Sequence, residues 1–233
     1  EFGGLNQLDN IDIVLLGDWD EPETLLKKVL ERFDLPPNPR MAISDFTRGE
    51  TISHLQVVMP TAIYLSATDL LRPMRVIKSE EDIAQMRKAG EITEAAFADT
   101  LANLRLGMTE LEVVQEVNYQ LRKHGSLGQS FTSSLYNSGP NHELKFGQRM
   151  ETWKRKLTPP VSVLFDFGGI YNGWCYDFGR TVFFGEPTAE ARTVYELVMA
   201  SQAAGIAALK AGSATTTEAD TAARQVIIDG GYG

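Results

Sequence analysis

The sequence predicts an α+β protein in two parts: a partial small α/β domain over residues 1–74, then a larger α+β domain over residues 75–233. Three observations carry this. Before residue 75, short apolar runs of strand length alternate with a run at helical spacing. After it, two pairs of helices with the same Gly punctuation flank a β-hairpin. The hairpin, FDFGGIYNGWCYDFGRT over residues 165–181, is centred on Asn172-Gly173, the strongest short-range hairpin signal.

In chain order, Ile11–Gly17 is an apolar run ending in Gly and reads as a buried strand. Glu23–Phe33 places Leu25, Leu26, Val29, Leu30 and Phe33 on one helical face, and Pro36, Pro37 and Pro39 close it. Met41–Phe46 and Ala62–Leu65 read as strands, and DLLRPMRVIKS over residues 69–79 as a linker. Ser79 then caps a helix that opens on Glu80, Glu81 and Asp82, acids suited to the positive end of its dipole, and runs to about Leu104. Gly107 breaks it, Thr109 and Glu112 form a capping box, and a second helix runs to about His124 with Gly125 as its stop.

A polar stretch follows, with a strand expected near Ser130–Tyr136 and turns at Ser138-Gly139-Pro140-Asn141. Beyond the hairpin, Glu190–Lys210 is a long Ala-rich helix capped by Thr188 and ended by Gly212. A last helix over residues 216–229 is closed by Gly230-Gly231. LRLG (104–107) echoes LKAG (209–212), and Thr109–Gly125 lines up with Thr217–Gly233. The echo predicts two similar halves with a site at their junction.

The net charge of −9 argues against a nucleic-acid footprint and against an anionic membrane surface. One cysteine, Cys175, excludes an intramolecular disulfide and points to the cytoplasm. No apolar run approaches the roughly 18 residues of a membrane span, and no signal peptide is visible. The chain opens at Glu1-Phe2 without an initiator Met and stops at Gly233 straight after a helical pattern, so both ends read as cut.

Two acids stand in the hairpin, Asp166 and Asp177. With a two-residue I′ loop, Asp166 lies opposite Gly179 and Gly168 opposite Asp177, so alternation of side chains sends both acids to one face. They are then diagonal neighbours, roughly 7–8 Å apart at the backbone. Val161, Val163, Phe165, Phe167, Trp174, Tyr176, Phe178 and Val182 form the other, core face. Two anions so close repel, and burial raises the cost of each. Water on an exposed face, a basic side chain or a cation would compensate; Arg180 is near but on the core face. Hard oxygen ligands suit Mn, Mg or Ca, and Zn or Co also take carboxylate, although a stable site needs further ligands. Spacing alone leaves these readings open.

Of the three histidines, His54 and His124 read as structural or exposed, while His142, in a Gly/Pro/Asn loop, is a candidate for a substrate or proton-transfer role. Cys175 reads as a small core thiol. No phosphate-binding loop, nucleotide fingerprint, HExxH or GxSxG occurs, so no cofactor-binding motif and no catalytic residue is assigned.

The stretch RVIKSEEDIAQMRKAGEITEAAF, LRLGMTELEV, LRKHG, SGPN and VLFDFGGIYNGWCYDFGRTVFFGEP resembles the pita-bread metallopeptidases, the family of X-Pro aminopeptidases, prolidases, methionine aminopeptidases and the metal-free creatinases. The most specific piece is the pair of aspartates eleven residues apart followed by Gly-Arg-Thr. The resemblance covers Arg75 to Gly233, and the residues before it resemble part of a creatinase-type N-terminal domain, which points to the X-Pro and creatinase branch. It implies a pita-bread fold, truncated here, with Asp166 and Asp177 as the first two ligands of two divalent metal ions (Mn, Zn or Co) and Asp177 bridging. It also implies a His and two Glu ligands beyond Gly233. Where many family members carry a substrate-contacting Pro-His, this chain has Lys145-Phe146, a departure that leaves that role unfilled.

The expectation that follows is a metal-dependent peptidase of X-Pro aminopeptidase or dipeptidase type, using a water activated by two metals and inactive as this fragment. Its substrate would be a peptide with proline in second position, and it would form a homodimer. No nucleic acid or membrane partner is expected. The alternatives are a creatinase-like C–N hydrolase without metal and a non-catalytic binding module, relatives of kinds that lose the metal aspartates.

Overall fold

The computed structural model describes residues 13–146 and 150–233, and the chain divides into two units after Ser79. In the first unit, β1 (Arg40–Ile43) pairs in parallel with β2 (Ile63–Ser66). Parallel strands need a crossover, and α2 (Gly49–Val58) provides it. Helix α1 (Pro22–Leu30) is tied to α2 through a 2.6 Å contact of Glu23 Oε1 with His54 Nδ1. Ala67 begins a turn that becomes α3 (Thr68–Val76), where a linker was expected; Pro73 sits inside this helix and removes only one backbone donor. Helix α2 had no counterpart in the sequence reading. Of the strand expected at Ile11–Gly17, the first two positions lie outside the described residues. Ile13–Gly17 forms no strand: no described strand pairs with it, and Ile13, Val14, Leu15 and Leu16 stay 39–60% exposed.

The second unit begins with α4 (Glu80–Asn103) and α5 (Glu110–Lys123). The capping box at the start of α5 is formed in full: Glu112 N–H donates to Thr109 Oγ1 at 3.2 Å, and Thr109 N–H donates to Glu112 Oε2 at 2.7 Å. Three antiparallel strands follow in spatial order β3 (Ser134–Ser138), β4 (Val161–Phe167) and β7 (Phe178–Phe184). Between β4 and β7 the hairpin continues as the short strands β5 (Ile170–Tyr171) and β6 (Trp174–Cys175). A single helical turn, α6 (Met150–Trp153), lies between β3 and β4 in sequence.

Alternation along β4 decides where the core sits. Val161, Val163, Phe165 and Phe167 are buried to within 1% and meet Ala96, Val113, Val117 and Leu121 of α4 and α5. Phe97 stands edge-on to Phe165 and Phe178 at 5.3 and 5.2 Å. Each of the fully buried valine, leucine and phenylalanine side chains contributes about 1.5–3 kcal/mol by leaving water. Gly90 of α4 lets the Tyr176 ring approach to 3.0 Å of where a Cβ would stand, and Asn172 Nδ2 donates to Gln85 Oε1 at 3.0 Å. Helix α4 thus lies against the tip of the hairpin and the Phe165 and Phe178 rings beside it.

Helices α7 (Ala189–Ala208) and α8 (Thr216–Asp229) pack on each other, with Gly205 close against Ala223 and the Ser201 hydroxyl donating to the Ala223 carbonyl at 2.8 Å. Thr188 caps α7 as expected. The internal echo is visible in three dimensions, but two residues out of the expected alignment. The capping box of α8 is Thr215 with Glu218, so Thr215, not Thr217, is the counterpart of Thr109. Both capped helices are 14 residues long, and each is followed by a left-handed glycine, Gly125 and Gly231.

Candidate metal centre

The hairpin has the register its turn chemistry predicts. Asn172 and Gly173 have φ of 46° and 81°, the left-handed pair a I′ loop requires. Tyr171 pairs with Trp174 and Ile170 with Cys175, and the same register resumes with Phe167 opposite Phe178 and Asp166 opposite Gly179. Asp177, two residues before Gly179, therefore lies diagonal to Asp166 on the face away from the core. Ser134 of β3 stands opposite Asp166 on that face, and Leu164, 37% exposed, lies two residues along it.

The electrostatics follow from this placement. Asp166 is half-buried and Asp177 exposed. Burial first, and then the negative charge of Asp177, push the Asp166 carboxyl above the usual carboxylate range. Among the described residues no basic side chain relieves this. Arg180 turns to the other face, where it lies 4.3 Å over the Phe178 ring and donates to the Gly179 carbonyl at 2.7 Å. No third His, Cys, Asp or Glu joins the two acids among the described residues. The pair fits two positions of a divalent-cation site, as hard, like-charged oxygen donors on an open face. It does not by itself complete one.

Two polar side chains that the sequence reading did not single out hold the hairpin at its middle. Between the two ladders, Gly169 N–H donates to Thr93 Oγ1 at 3.2 Å, and the Ser130 hydroxyl donates to the Tyr176 carbonyl at 2.8 Å. Ser126 adds a third tie, accepting from Ile170 N–H at 2.8 Å. The available signal was Gly168-Gly169, since paired glycines inside a strand mark close approach of another chain segment. β3 begins at Ser134 and not at Ser130 as expected: Gln129 makes only an isolated antiparallel bridge to Gly169, with Ser130 N–H donating to the Gly168 carbonyl at 2.9 Å.

The remaining candidates lie elsewhere. His142 is 2% exposed, and its Nε2 meets the Lys156 carbonyl at 3.0 Å, so it is a buried residue of the Gly139–His142 turn and not an open loop residue. His54 contacts Glu23 and His124 contacts Asp99, both within reach of a structural pairing. Cys175, read as a core thiol, is exposed, because it shares the outward face with Asp177. Phe146 is 72% exposed and packs against Tyr136 at 5.9 Å between ring centres, while Lys145 pairs with Glu151 at 2.8 Å.

A family model described as metallopeptidase family M24 matches residues 84–233. An Xaa-Pro dipeptidase of Lactobacillus delbrueckii subsp. lactis is 35% identical over 193 residues, 79% of this chain and 50% of that protein. The chain thus spans about half the length of the curated relatives it matches. Among solved structures, an X-Pro aminopeptidase from Thermotoga maritima superposes with a TM-score of 0.76 at 25% identity, over 93% of this chain and 60% of that one. An Xaa-Pro dipeptidase from Bacillus anthracis does so with a TM-score of 0.74 at 27% identity, over 91% and 57%.

Proposed function

This chain belongs to metallopeptidase family M24, and on that basis we propose that Asp166 and Asp177 are ligands of the divalent-metal centre of an X-Pro peptidase. Its second unit has the α+β pita-bread architecture of that family. The observation that carries the site assignment is the pair of carboxylates on one open face, with burial and the charge of Asp177 raising the Asp166 carboxyl. Divalent ions bound there (Mn, Zn or Co, two in number) would polarise the scissile carbonyl and lower the pKa of a water. Asp166 and Asp177 would hold the ions through their carboxylate oxygens. The hairpin's contribution is to hold the two carboxylates fixed relative to one another.

The substrate is a peptide with proline at its second position, in line with the Xaa-Pro activity in the names of its relatives. A bond before proline carries no N–H, so the site selects by shape and not by a bond to that amide. The single cysteine suits a cytoplasmic setting. Both metal aspartates are present, which weighs against a metal-free C–N hydrolase and against a non-catalytic binding module.

The test is Asp177→Asn in the full-length gene product. Bound divalent metal and hydrolysis of an X-Pro dipeptide are expected to fall together, by more than the 10–100-fold typical of residues behind a metal ligand. Full activity with the metal gone would overturn the reading.

A further inference from the structure

The hairpin carries an irregularity that its turn does not require. In a two-residue hairpin the closing pair, Tyr171 and Trp174, exchanges hydrogen bonds, and so does every second pair beyond it. Gly169 and Tyr176 form the next such pair and should exchange two. Only one is made, from Tyr176 N–H to the Gly169 carbonyl at 2.9 Å. The other is taken apart. Gly169 N–H turns to Thr93 Oγ1 on α4, itself anchored by donating to the Ala89 carbonyl at 2.8 Å. The Tyr176 carbonyl turns to the Ser130 hydroxyl.

Ser130 holds both strands at this point, because its own N–H donates to the Gly168 carbonyl. Gly168 is the residue opposite Asp177. The Tyr176 carbonyl is tilted so far over Gly168 that a Cβ there would lie 1.7 Å from its oxygen and 2.5 Å from Ser130 Oγ. The peptide so tilted joins Tyr176 to Asp177. Its rotation sets where the Asp177 Cα–Cβ bond points.

We propose that Ser130, with Thr93, is a positioning residue for the carboxylate pair: it holds the Tyr176–Asp177 peptide out of the regular ladder and thereby aims Asp177 at the space it shares with Asp166. Without the hydroxyl, the Tyr176 carbonyl is left with no donor until the peptide rotates back toward Gly169 N–H, and Asp177 turns with it. This inference rests on the assignment of Asp166 and Asp177 as metal ligands.

The experiment measures the Mn2+ dissociation constant by electron paramagnetic resonance of the free ion, in the full-length gene product, for the wild type, Ser130→Ala, Ser130→Thr, Thr93→Val and Asp177→Asn. Ser130→Ala is expected to weaken binding about 10–100-fold, and Ser130→Thr, which keeps the hydroxyl, to restore it to within about 3-fold of wild type. Thr93→Val, which frees Gly169 N–H to recapture the Tyr176 carbonyl, weakens binding in the same range and decides the matter if Ser130→Ala does not fold. A folded Ser130→Ala or Thr93→Val protein that binds Mn2+ like the wild type, while Asp177→Asn does not bind, overturns the positioning role. If Asp177→Asn itself binds like the wild type, the ligand assignment fails, and the positioning proposal falls with it.

Discussion

Replacing Gly168 by alanine adds one methyl group at the tightest point of the hairpin. The new Cβ would lie 1.7 Å from the Tyr176 oxygen and 2.5 Å from Ser130 Oγ, and the first of these is backbone. Relief requires the two strands to part by more than an ångström. That movement breaks the Ser130 hydroxyl bond to Tyr176 and the Ser130 N–H bond to Gly168, about 1 kcal/mol each. Overpacking adds about 1–3 kcal/mol. The total is about 3–5 kcal/mol, a large share of the stability of an ordinary domain. Gly173→Ala is the comparison, since Gly173 has φ of +81° and nothing within 4 Å of its missing Cβ. There only the left-handed backbone opposes the methyl, at about 1 kcal/mol. In urea, with a slope of about 2 kcal/mol/M, the midpoints should fall by about 2 M and about 0.5 M. Tryptophan emission reports both, because Trp174 lies in the hairpin. A Gly168→Ala midpoint no lower than that of Gly173→Ala would refute the close approach, and with it the tilt of the Tyr176 carbonyl.

Asp166→Asn should stabilise the metal-free protein at pH 7 while weakening divalent-ion binding. The Asp166 carboxyl is raised, so its protonated form favours the fold below the ordinary carboxylate range, and that contribution is lost as pH rises through the folded value. Thermal melts in chelator check it, and a lower melting temperature for the variant would count against the crowding of the two acids. Asp99 has the opposite sign. Hydrogen bonds from Lys123 and His124 hold it below the usual range, so its contribution is present at neutral pH and is lost as pH falls through the lowered value. Asp99→Asn should therefore flatten the acid side of the stability profile, and an unchanged acid slope would exclude the pairing as its source.

Much of the candidate site was legible because it depends on local rules. Asn172-Gly173 specifies a left-handed two-residue loop, and the period of two along a strand then places Asp166 and Asp177 together. The capping box at Thr109 and the cap at Thr188 were equally local. The errors fall where partners are distant. Ile13–Gly17 has strand composition but no described strand to pair with, and α2 begins after Arg48 with no side-chain cap to announce it. Cys175 reads as core for want of a companion histidine, yet it alternates outward. The echo of α5 in α8 was seen two residues out of step, since Thr215, Thr216 and Thr217 are alike in sequence and only the bond to Glu218 selects the cap.

Unaided, the chain's residues determined a hairpin with two acids on one face, because a turn and an alternation are settled by residues adjacent to one another. Whether those acids were clamped, and what aims them, was decided in three dimensions. Arg180 found an aromatic ring instead of a carboxylate. The hydroxyls that hold the hairpin open come from Ser130 and Thr93, 46 and 76 positions away from the groups they bind. A hydrogen bond constrains only groups brought within about 3 Å, and no pattern along the chain encodes which distant side chain will arrive there.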